Sequence, residues 1–260
     1  MSRPVALVTG ASSGIGAEFA RQLAARGLDL VVVARDADRL GELAAELSAA
    51  HGVEVSVMPA DLVDDVQLRV VEQRLRAGVD LLVNNAGFGN HGDFAEIDVE
   101  AEEAAVRLNV LAVVRLTHAA VGSMTRRGKG AVINVSSVAG LVPGLPNATY
   151  GASKAFVTAF SESLHEQLRD RGVRVMALCP GYTHTEFHER AGIDMSTSPD
   201  LLWMDADAVV RAALRDLAAN KAVSVPGALY KTVAMLTRLA PRALTRRTAG
   251  RIRRGSVENG

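Results

Sequence analysis

Seven short apolar runs, separated by stretches that can form helices, constrain the fold of this chain most strongly. The runs are rich in Val and Leu and are bounded by Gly, Pro or Asp, as in VALVTG, LDLVVVAR and VDLLVNNAG. Strands that are apolar along their whole length are buried on both faces, which is typical of parallel sheets with helical crossovers. The pattern therefore predicts an α/β fold with a doubly wound parallel sheet flanked by helices.

The domain organisation follows from the continuity of this pattern. No linker, low-complexity segment or repeat interrupts the chain from Pro4 to about Pro226. We predict a single Rossmann-like domain over residues 1–226, with a substrate lid over 186–205, and a basic C-terminal helical extension over 227–260. The next helix is expected to begin after Asp205 as its N-cap. The lid includes large apolar residues that suit either a movable cover over an apolar substrate or packing on the core, among them Met195, Leu201, Leu202, Trp203 and Met204.

Charge and cysteine content narrow the class of protein. The chain has 29 Lys and Arg residues and 29 Asp and Glu residues, so its totals do not suggest nucleic-acid binding. The single cysteine, Cys179, excludes an intrachain disulfide, and the histidines show no metal-ligand spacing. No stretch of about 20 apolar residues suggests a membrane span, and the N-terminus does not resemble a signal peptide. A cytoplasmic location is the expectation.

A glycine-rich turn follows the first predicted strand. The stretch TGASSGIG places Gly10, Gly14 and Gly16 just before a helix. Glycines at such a turn let the backbone approach a pyrophosphate, which then lies against the N–H groups of the helix N-terminus. Ser12 and Ser13 could add hydroxyl groups to the phosphate. The spacing is GxxxGxG rather than GxGxxG, and tight helix packing is the alternative reading.

The end of the second strand bears on cofactor choice. Roughly 20 residues beyond the glycine loop, where an acidic residue would bind a ribose 2′-hydroxyl, the sequence has Arg35. A guanidinium can bind a 2′-phosphate bidentately, whereas a carboxylate would repel it. The sequence therefore favours NADP(H) over NAD(H). In the alternative, Arg35 is a surface charge and Asp36 turns inward to hold the ribose.

The stretch YGASK places two titratable side chains one helical turn apart. Tyr150 precedes Lys154 by four residues, so both lie on one helix face and only small residues separate them. A free tyrosine has a pKa near 10, and a neighbouring ammonium stabilises its phenolate. The pair therefore suits proton transfer, with Tyr150 as acid or base and Lys154 lowering its pKa.

Four stretches together resemble the short-chain dehydrogenase/reductase family: TGASSGIG at 9–16, NNAG at 84–87, the Ser pair ending the fifth strand, and YGASK at 150–154. The resemblance implies that Ser137, rather than Ser136, contacts the substrate oxygen. It also implies that Asn109 anchors a water in a proton relay. Lys154 would grip the nicotinamide ribose as well as act on Tyr150.

The resemblance also implies a set of cofactor contacts. Thr185 and the backbone near Pro180 would hold the nicotinamide carboxamide, although Thr183 stands where the family more often has an aliphatic residue. Asp61 and Leu62 would lie beside the adenine. The complete expected set is Gly10, Ser12, Ser13, Gly14, Ile15, Gly16, Arg35, Asp61, Leu62, Asn85, Ala86, Gly87, Tyr150, Lys154, Pro180, Gly181, Thr183 and Thr185.

The leading interpretation is an NADP(H)-dependent carbonyl reductase or alcohol dehydrogenase whose small-molecule substrate is a hydrophobic ketone, aldehyde or acyl-chain carbonyl. A 3-oxoacyl thioester reductase is the alternative within the same class, and a non-catalytic dinucleotide-sensing or scaffold protein is the alternative of another class. The resemblance implies a homodimer or homotetramer. Eight basic and no acidic residues between Lys231 and Arg254 suit an anionic membrane surface, an acidic carrier protein, another subunit or a solvated tail, and Pro241 interrupts the helix there.

Overall fold

The computed structural model describes residues 3–142, 147–186, 199 and 202–239. Within these residues seven strands pair in parallel into one sheet. They are β1 Val5–Thr9, β2 Asp29–Ala34, β3 Val55–Pro59, β4 Leu81–Asn84, β5 Gly130–Val135, β6 Val173–Leu178 and β7 Val223–Ser224. The sheet order is β3-β2-β1-β4-β5-β6-β7. This confirms the predicted doubly wound fold, whose switch point lies between β1 and β4.

Helices connect the strands on both faces of the sheet. They are α1 Gly14–Ala24, α2 Ala37–His51, α3 Asp65–Arg76, α4 Val99–Val106, α5 Val113–Arg127, α6 Ala148–Leu168, α7 Ala206–Ala218 and α8 Ala228–Leu239. A π-helical segment, Arg107–Ala112, joins α4 to α5. Short 3₁₀ turns at Val138–Gly140 and Arg169–Arg171 precede and follow α6.

Alternation along the strands builds two hydrophobic layers. On one face of β1, Ala6 and Val8 belong to a buried cluster with Phe19 of α1. On the other face, Leu7 belongs to a cluster with Leu68 of α3 and Leu116 of α5. Because successive residues of a strand point to opposite faces, a continuous apolar run supplies both layers. Both faces of the sheet are covered, so a site is expected at its carboxyl edge, where the connecting loops meet.

The continuous helical segment Val99–Arg127 is long and apolar enough to cross a membrane by length and composition, with a mean hydropathy of 1.4 over its most apolar window. This stretch was not recognised from the sequence as long and apolar enough to span a membrane. Its residues Val113 and Leu116 are buried, and Ala120 lies with Leu116 in the second hydrophobic cluster. Packing of α5 against the sheet therefore accounts for its apolar composition.

Parts of the predicted lid and extension lie outside the described residues, namely 187–198, 200, 201 and 240–260. Helix α7 begins at Ala206 with Asp205 at the N-cap, as expected. The Asp205 side chain, however, makes no capping hydrogen bond. Helix α8 forms the described beginning of the predicted C-terminal extension.

Candidate active site

The glycine loop after β1 is shaped by its lack of side chains. Gly10 and Gly14 have φ angles of 65° and 54°, in the left-handed region that favours glycine. A Cβ atom at Gly16 would lie 2.2 Å from the Gly10 carbonyl oxygen, so no larger residue fits without a shift. Ser13 occupies the N-cap of α1 without a capping hydrogen bond from its side chain. The loop is a cradle whose backbone suits a pyrophosphate.

The end of β4 braces this cradle. The Asn85 amide donates to the carbonyl oxygens of Thr9 at 3.0 Å and Gly10 at 3.2 Å. The Thr9 hydroxyl accepts hydrogen bonds from the backbone N–H groups of Asn85 and Ala86, both at 3.0 Å. From the sequence, Asn85 was expected to contact the cofactor, and Thr9 was not singled out. In the structure both hold the backbone of the glycine cradle.

Arg35 lies at the end of β2, where the sequence placed it. Its side chain is exposed, and it makes no ion pair or hydrogen bond within the described part of the chain. The neighbouring Asp36 caps α2, because its Oδ1 accepts the backbone N–H of Arg39 at 3.0 Å. A carboxylate engaged as a helix cap is less available to a ribose hydroxyl. The structure thus places Arg35 at the surface beside a helix-capping Asp36, and the cofactor preference stays a prediction.

Asp61 and Leu62 follow β3 at the same edge of the sheet. Asp61 Oδ1 accepts the backbone N–H of Val63 at 2.9 Å, while the Asp61 N–H donates to Gln67 Oε1 at 2.8 Å. Leu62 is buried in the second hydrophobic cluster. The pair forms a fixed turn next to the end of β2. A base could lie against this turn at the far end of the cleft.

Ser137 and Tyr150 lie next to each other in the structure. A hydrogen bond joins their side chains, and Ser137 Oγ also accepts the backbone N–H of Ala139 at 3.1 Å. Tyr150 as a whole residue is half-buried, but protein surrounds its hydroxyl, and this burial raises the pKa to about 12. The bond from Ser137 acts in the opposite direction and lowers that pKa.

Lys154 lies beside Tyr150 but points to a different partner. Its Nζ donates to the Val135 carbonyl oxygen at 2.8 Å and lies 5.6 Å from the centroid of the Tyr150 ring. The side chain is buried, and burial lowers its pKa to about 8, partly offset by Cys179. Burial is the largest effect on the Tyr150 pKa and Ser137 supplies the lowering contact, so the expected lowering by Lys154 stays a prediction.

Asn109 sits in the π-helical segment between α4 and α5, a geometry that often marks functional sites. Its Oδ1 accepts the Phe88 N–H at 3.1 Å, and its Nδ2 donates to the Phe88 carbonyl at 2.7 Å and to Ser153 Oγ at 3.3 Å. A Cβ at Gly87 would lie 2.8 Å from Asn109 Oδ1 and 3.2 Å from Lys154 Nζ. The side chain thus fixes the loop after β4 against the candidate catalytic residues.

Ser136 has a supporting role that the sequence analysis did not find. Its hydroxyl donates to the Lys154 carbonyl oxygen at 2.7 Å and lies 2.8 Å from Thr158 Oγ1. Thr158 in turn lies 3.7 Å from Cys179 Sγ at the end of β6. These contacts join α6 to β5 and β6 next to Lys154. Only the adjacent-serine pattern could have indicated this function.

The segment after β6 turns back over the glycine cradle. The Pro180 carbonyl accepts the Val138 N–H at 3.0 Å, and Thr183 Oγ1 donates to the Gly181 carbonyl at 3.0 Å. Thr185 Oγ1 donates to the Thr183 carbonyl at 3.4 Å. A Cβ at Gly14 would lie 3.0 Å from the Thr185 side chain, which places Thr185 directly over the N-terminus of α1.

Tyr230 of α8 holds this segment in place and was not predicted. Its hydroxyl accepts the Tyr182 N–H at 3.1 Å and donates to the Leu202 carbonyl at 2.6 Å. A Cβ at Gly181 would lie 2.1 Å from the Tyr230 ring, so Gly181 is required by this close approach. The aromatic ring of Trp203 stacks on His184 with centroids 4.7 Å apart. Residues just before the predicted lid are therefore packed together with residues at its end.

The fold and the glycine cradle at its switch point are those of the dinucleotide-binding α/β oxidoreductases. A family model described as short chain dehydrogenase matches residues 4–195, and the chain belongs to that family.

Three similar proteins illustrate the relationship. A short-chain dehydrogenase from Sphingobium yanoikuyae, solved with NADPH, is 41% identical with a TM-score of 0.83, covering 86% of this chain and 88% of that one. A bulky-bulky ketone specific alcohol dehydrogenase from Comamonas testosteroni is 36% identical with a TM-score of 0.81, covering 92% and 93%. A very-long-chain 3-oxoacyl-CoA reductase from Anas platyrhynchos is 34% identical over 190 residues, which are 70% of this chain and 60% of that protein.

Burial of Lys154 predicts a distinctive pH dependence of stability. The pKa of Lys154 is about 8 in the folded chain against 10.5 for a free side chain, so the unfolded chain binds more protons between these values. The cost of burying the ammonium is fully present below pH 8 and disappears as the pH rises toward 10.5. We expect the free energy of unfolding to gain about 2 kcal/mol from this residue between pH 7 and pH 9.5.

Urea unfolding at the two pH values measures this gain. The variant Lys154→Met should lose it, whereas Lys129→Met, at an exposed lysine, should keep it. An identical pH dependence in wild type and Lys154→Met would show that Lys154 does not titrate as its burial implies.

Proposed function

We propose that this chain catalyses the NADP(H)-dependent interconversion of a hydrophobic carbonyl compound and its alcohol by hydride transfer. The observation that carries the proposal is the hydrogen bond between Ser137 and Tyr150, beside the buried Lys154 and next to the glycine cradle. A protein that only senses or stores a dinucleotide needs no proton donor at this position. The non-catalytic alternative is therefore the weaker one.

The residues present suit a nicotinamide dinucleotide phosphate. Gly10 and Gly14 give the loop its left-handed turns and Gly16 its close packing, so that the N–H groups at the start of α1 can bind a pyrophosphate, and the Arg35 guanidinium is free to bind a 2′-phosphate. Thr183 and Thr185, in the segment after β6, would hold the nicotinamide end of the cofactor. When bound, the cofactor supplies or accepts the hydride.

The protein side chains would handle the proton. In reduction, Tyr150 Oη donates its proton to the carbonyl oxygen as negative charge develops there, and Ser137 donates a hydrogen bond to the same oxygen. The resulting phenolate is stabilised by the charged form of Lys154 and by the contact with Ser137. Because burial brings the Lys154 pKa to about 8, the residue can also release or take up a proton near neutral pH. In oxidation the phenolate acts as the base.

The substrate class is proposed from the relatives. The Comamonas testosteroni enzyme is named as specific for bulky-bulky ketones, and the Anas platyrhynchos protein is named as a reductase of very-long-chain 3-oxoacyl-CoA. Both substrate classes contain a ketone that carries at least one sizeable substituent. A bulky hydrophobic ketone is our first choice for this chain, and a long-chain 3-oxoacyl thioester is the second.

Titration with NADPH and NADH, followed by a panel of bulky ketones, aldehydes and 3-oxoacyl thioesters, tests this function. We expect saturable NADPH binding and loss of NADPH absorbance with at least one hydrophobic ketone. A preference for thioesters over ketones would support the second substrate class. Tight NADPH binding with no turnover across the panel would favour a dinucleotide-sensing or scaffold protein instead.

A further inference from the structure

The segment after β6 extends across the carboxyl edge of the sheet, from β6 to the region beyond β2. Strands β2 and β6 are separated by β1, β4 and β5, a distance of roughly 19 Å at about 4.8 Å per strand. Thr185 lies over Gly14, at the start of α1, and Glu186 reaches the first turn of α2 beyond β2. Residues 183–186 therefore cross the path that a dinucleotide would follow from the cradle to the nicotinamide end.

One ion pair fastens the end of this segment. Arg39 Nη1 donates to Glu186 Oε1 at 3.0 Å and to Oε2 at 2.9 Å. The two residues are 147 positions apart in the chain, and the pair joins the segment after β6 to helix α2, which follows β2. Asp36, the cap of α2, lies 3.6 Å from Arg39 Nε and helps to orient the guanidinium.

We propose that residues 183–186 form a strap over the bound dinucleotide, and that the Arg39–Glu186 ion pair controls how fast the cofactor leaves. The inference rests on the proposed function, because the strap needs a dinucleotide beneath it. Opening the pair would let Thr185 and Glu186 lift away from the N-terminus of α1. The pair has no part in proton transfer, and it makes no distinction between NADPH and NADH.

The chain contains a matched ion pair for comparison. Arg21 of α1 binds Glu46 of α2 through two hydrogen bonds, at 2.9 and 3.2 Å. The Arg21 and Glu46 side chains are 46% and 50% exposed, close to the 44% and 41% of Arg39 and Glu186. This pair joins two helices along their length and does not cross the cleft. Its removal therefore reports the effect of losing a similar surface ion pair elsewhere.

Stopped-flow displacement provides the test. Wild type, Arg39→Gln, Glu186→Gln, the exchanged double variant Arg39→Glu/Glu186→Arg and the control Glu46→Gln are loaded with NADPH or NADH. Each is mixed with excess oxidised cofactor, and the loss of reduced-cofactor fluorescence gives the dissociation rate. We expect both single variants to release either cofactor about threefold to fivefold faster, as suits an exposed ion pair. The exchanged variant should return toward the wild-type rate, and Glu46→Gln should match wild type.

The possible outcomes distinguish failure of the strap proposal from failure of the proposed function. Unchanged rates in both single variants, with binding intact, would overturn the strap and leave the proposed function in place. Faster release of NADPH alone in Arg39→Gln, without recovery in the exchanged variant, would show that Arg39 binds the 2′-phosphate directly and would also overturn the strap. If wild type binds neither cofactor, both the function and the strap are wrong.

Discussion

Tyr150→Phe is expected to lower kcat/KM for carbonyl reduction by about 10²- to 10⁴-fold, the usual contribution of a positioned acid. The ring of Tyr150 packs against Gly89, where a Cβ would lie 2.9 Å from Tyr150 Cδ2, and phenylalanine keeps this contact. NADPH affinity should therefore change little. Steady-state kinetics with the best ketone and a fluorescence titration with NADPH measure the two quantities.

The companion variant Ser137→Ala measures the contribution of Ser137 separately from that of the acid, Tyr150. It removes the hydrogen bond that lowers the Tyr150 pKa and the contact to the substrate oxygen, so activity should fall while the tyrosine still supplies a proton. Tyr150→Phe should therefore be the more damaging of the two. Activity within tenfold of wild type in Tyr150→Phe would remove this residue from the mechanism.

Arg35→Ala is expected to weaken NADPH binding by about 10- to 100-fold, as for the loss of hydrogen bonds to a charged group. NADH lacks the 2′-phosphate, so its affinity should stay close to that of wild type. The guanidinium is exposed at the end of β2 and has no partner in the described part of the chain, so its removal should leave the fold intact. Parallel titrations with both cofactors give the selectivity.

Arg171→Ala is the control for this selectivity. Arg171 is also an exposed arginine, but it precedes β6 at the amino edge of the sheet, opposite the site. Its replacement should alter neither affinity. Equal weakening of NADPH and NADH by Arg35→Ala would contradict recognition of the 2′-phosphate and return attention to Asp36.

The sheet and the central pair of candidate site residues could be predicted from local patterns in the sequence. A strand buried on both faces must be apolar throughout, so the strand runs could be recognised without knowledge of their neighbours. Tyr150 and Lys154 are one turn apart on a helix, so their proximity follows from helix geometry alone. The glycine spacing likewise reports a backbone shape that larger residues cannot adopt.

Contacts between distant segments were beyond such patterns. The bonds from Asn109 to Phe88 and from Tyr230 to Tyr182 depend on how helices pack, and no spacing in the sequence encodes them. The direction of the Tyr150 pKa shift also depends on burial, which opposes the effect expected from a neighbouring charge. Oligomeric state, cytoplasmic location and membrane or carrier contact through the basic tail stay predictions.

The bond from Tyr230 has a consequence for how substrate preference can change in this chain. The residue lies in α8, beyond residues 4–195 that the family model matches, yet its hydroxyl links both ends of the segment that bounds the substrate side. Under the proposed function, a mutation in α8 that weakens this link should alter the substrate entrance more than the contacts of Ser137, Tyr150 and Lys154. The proposed substrate fit would then depend on α8, and the proposed proton transfer on α6.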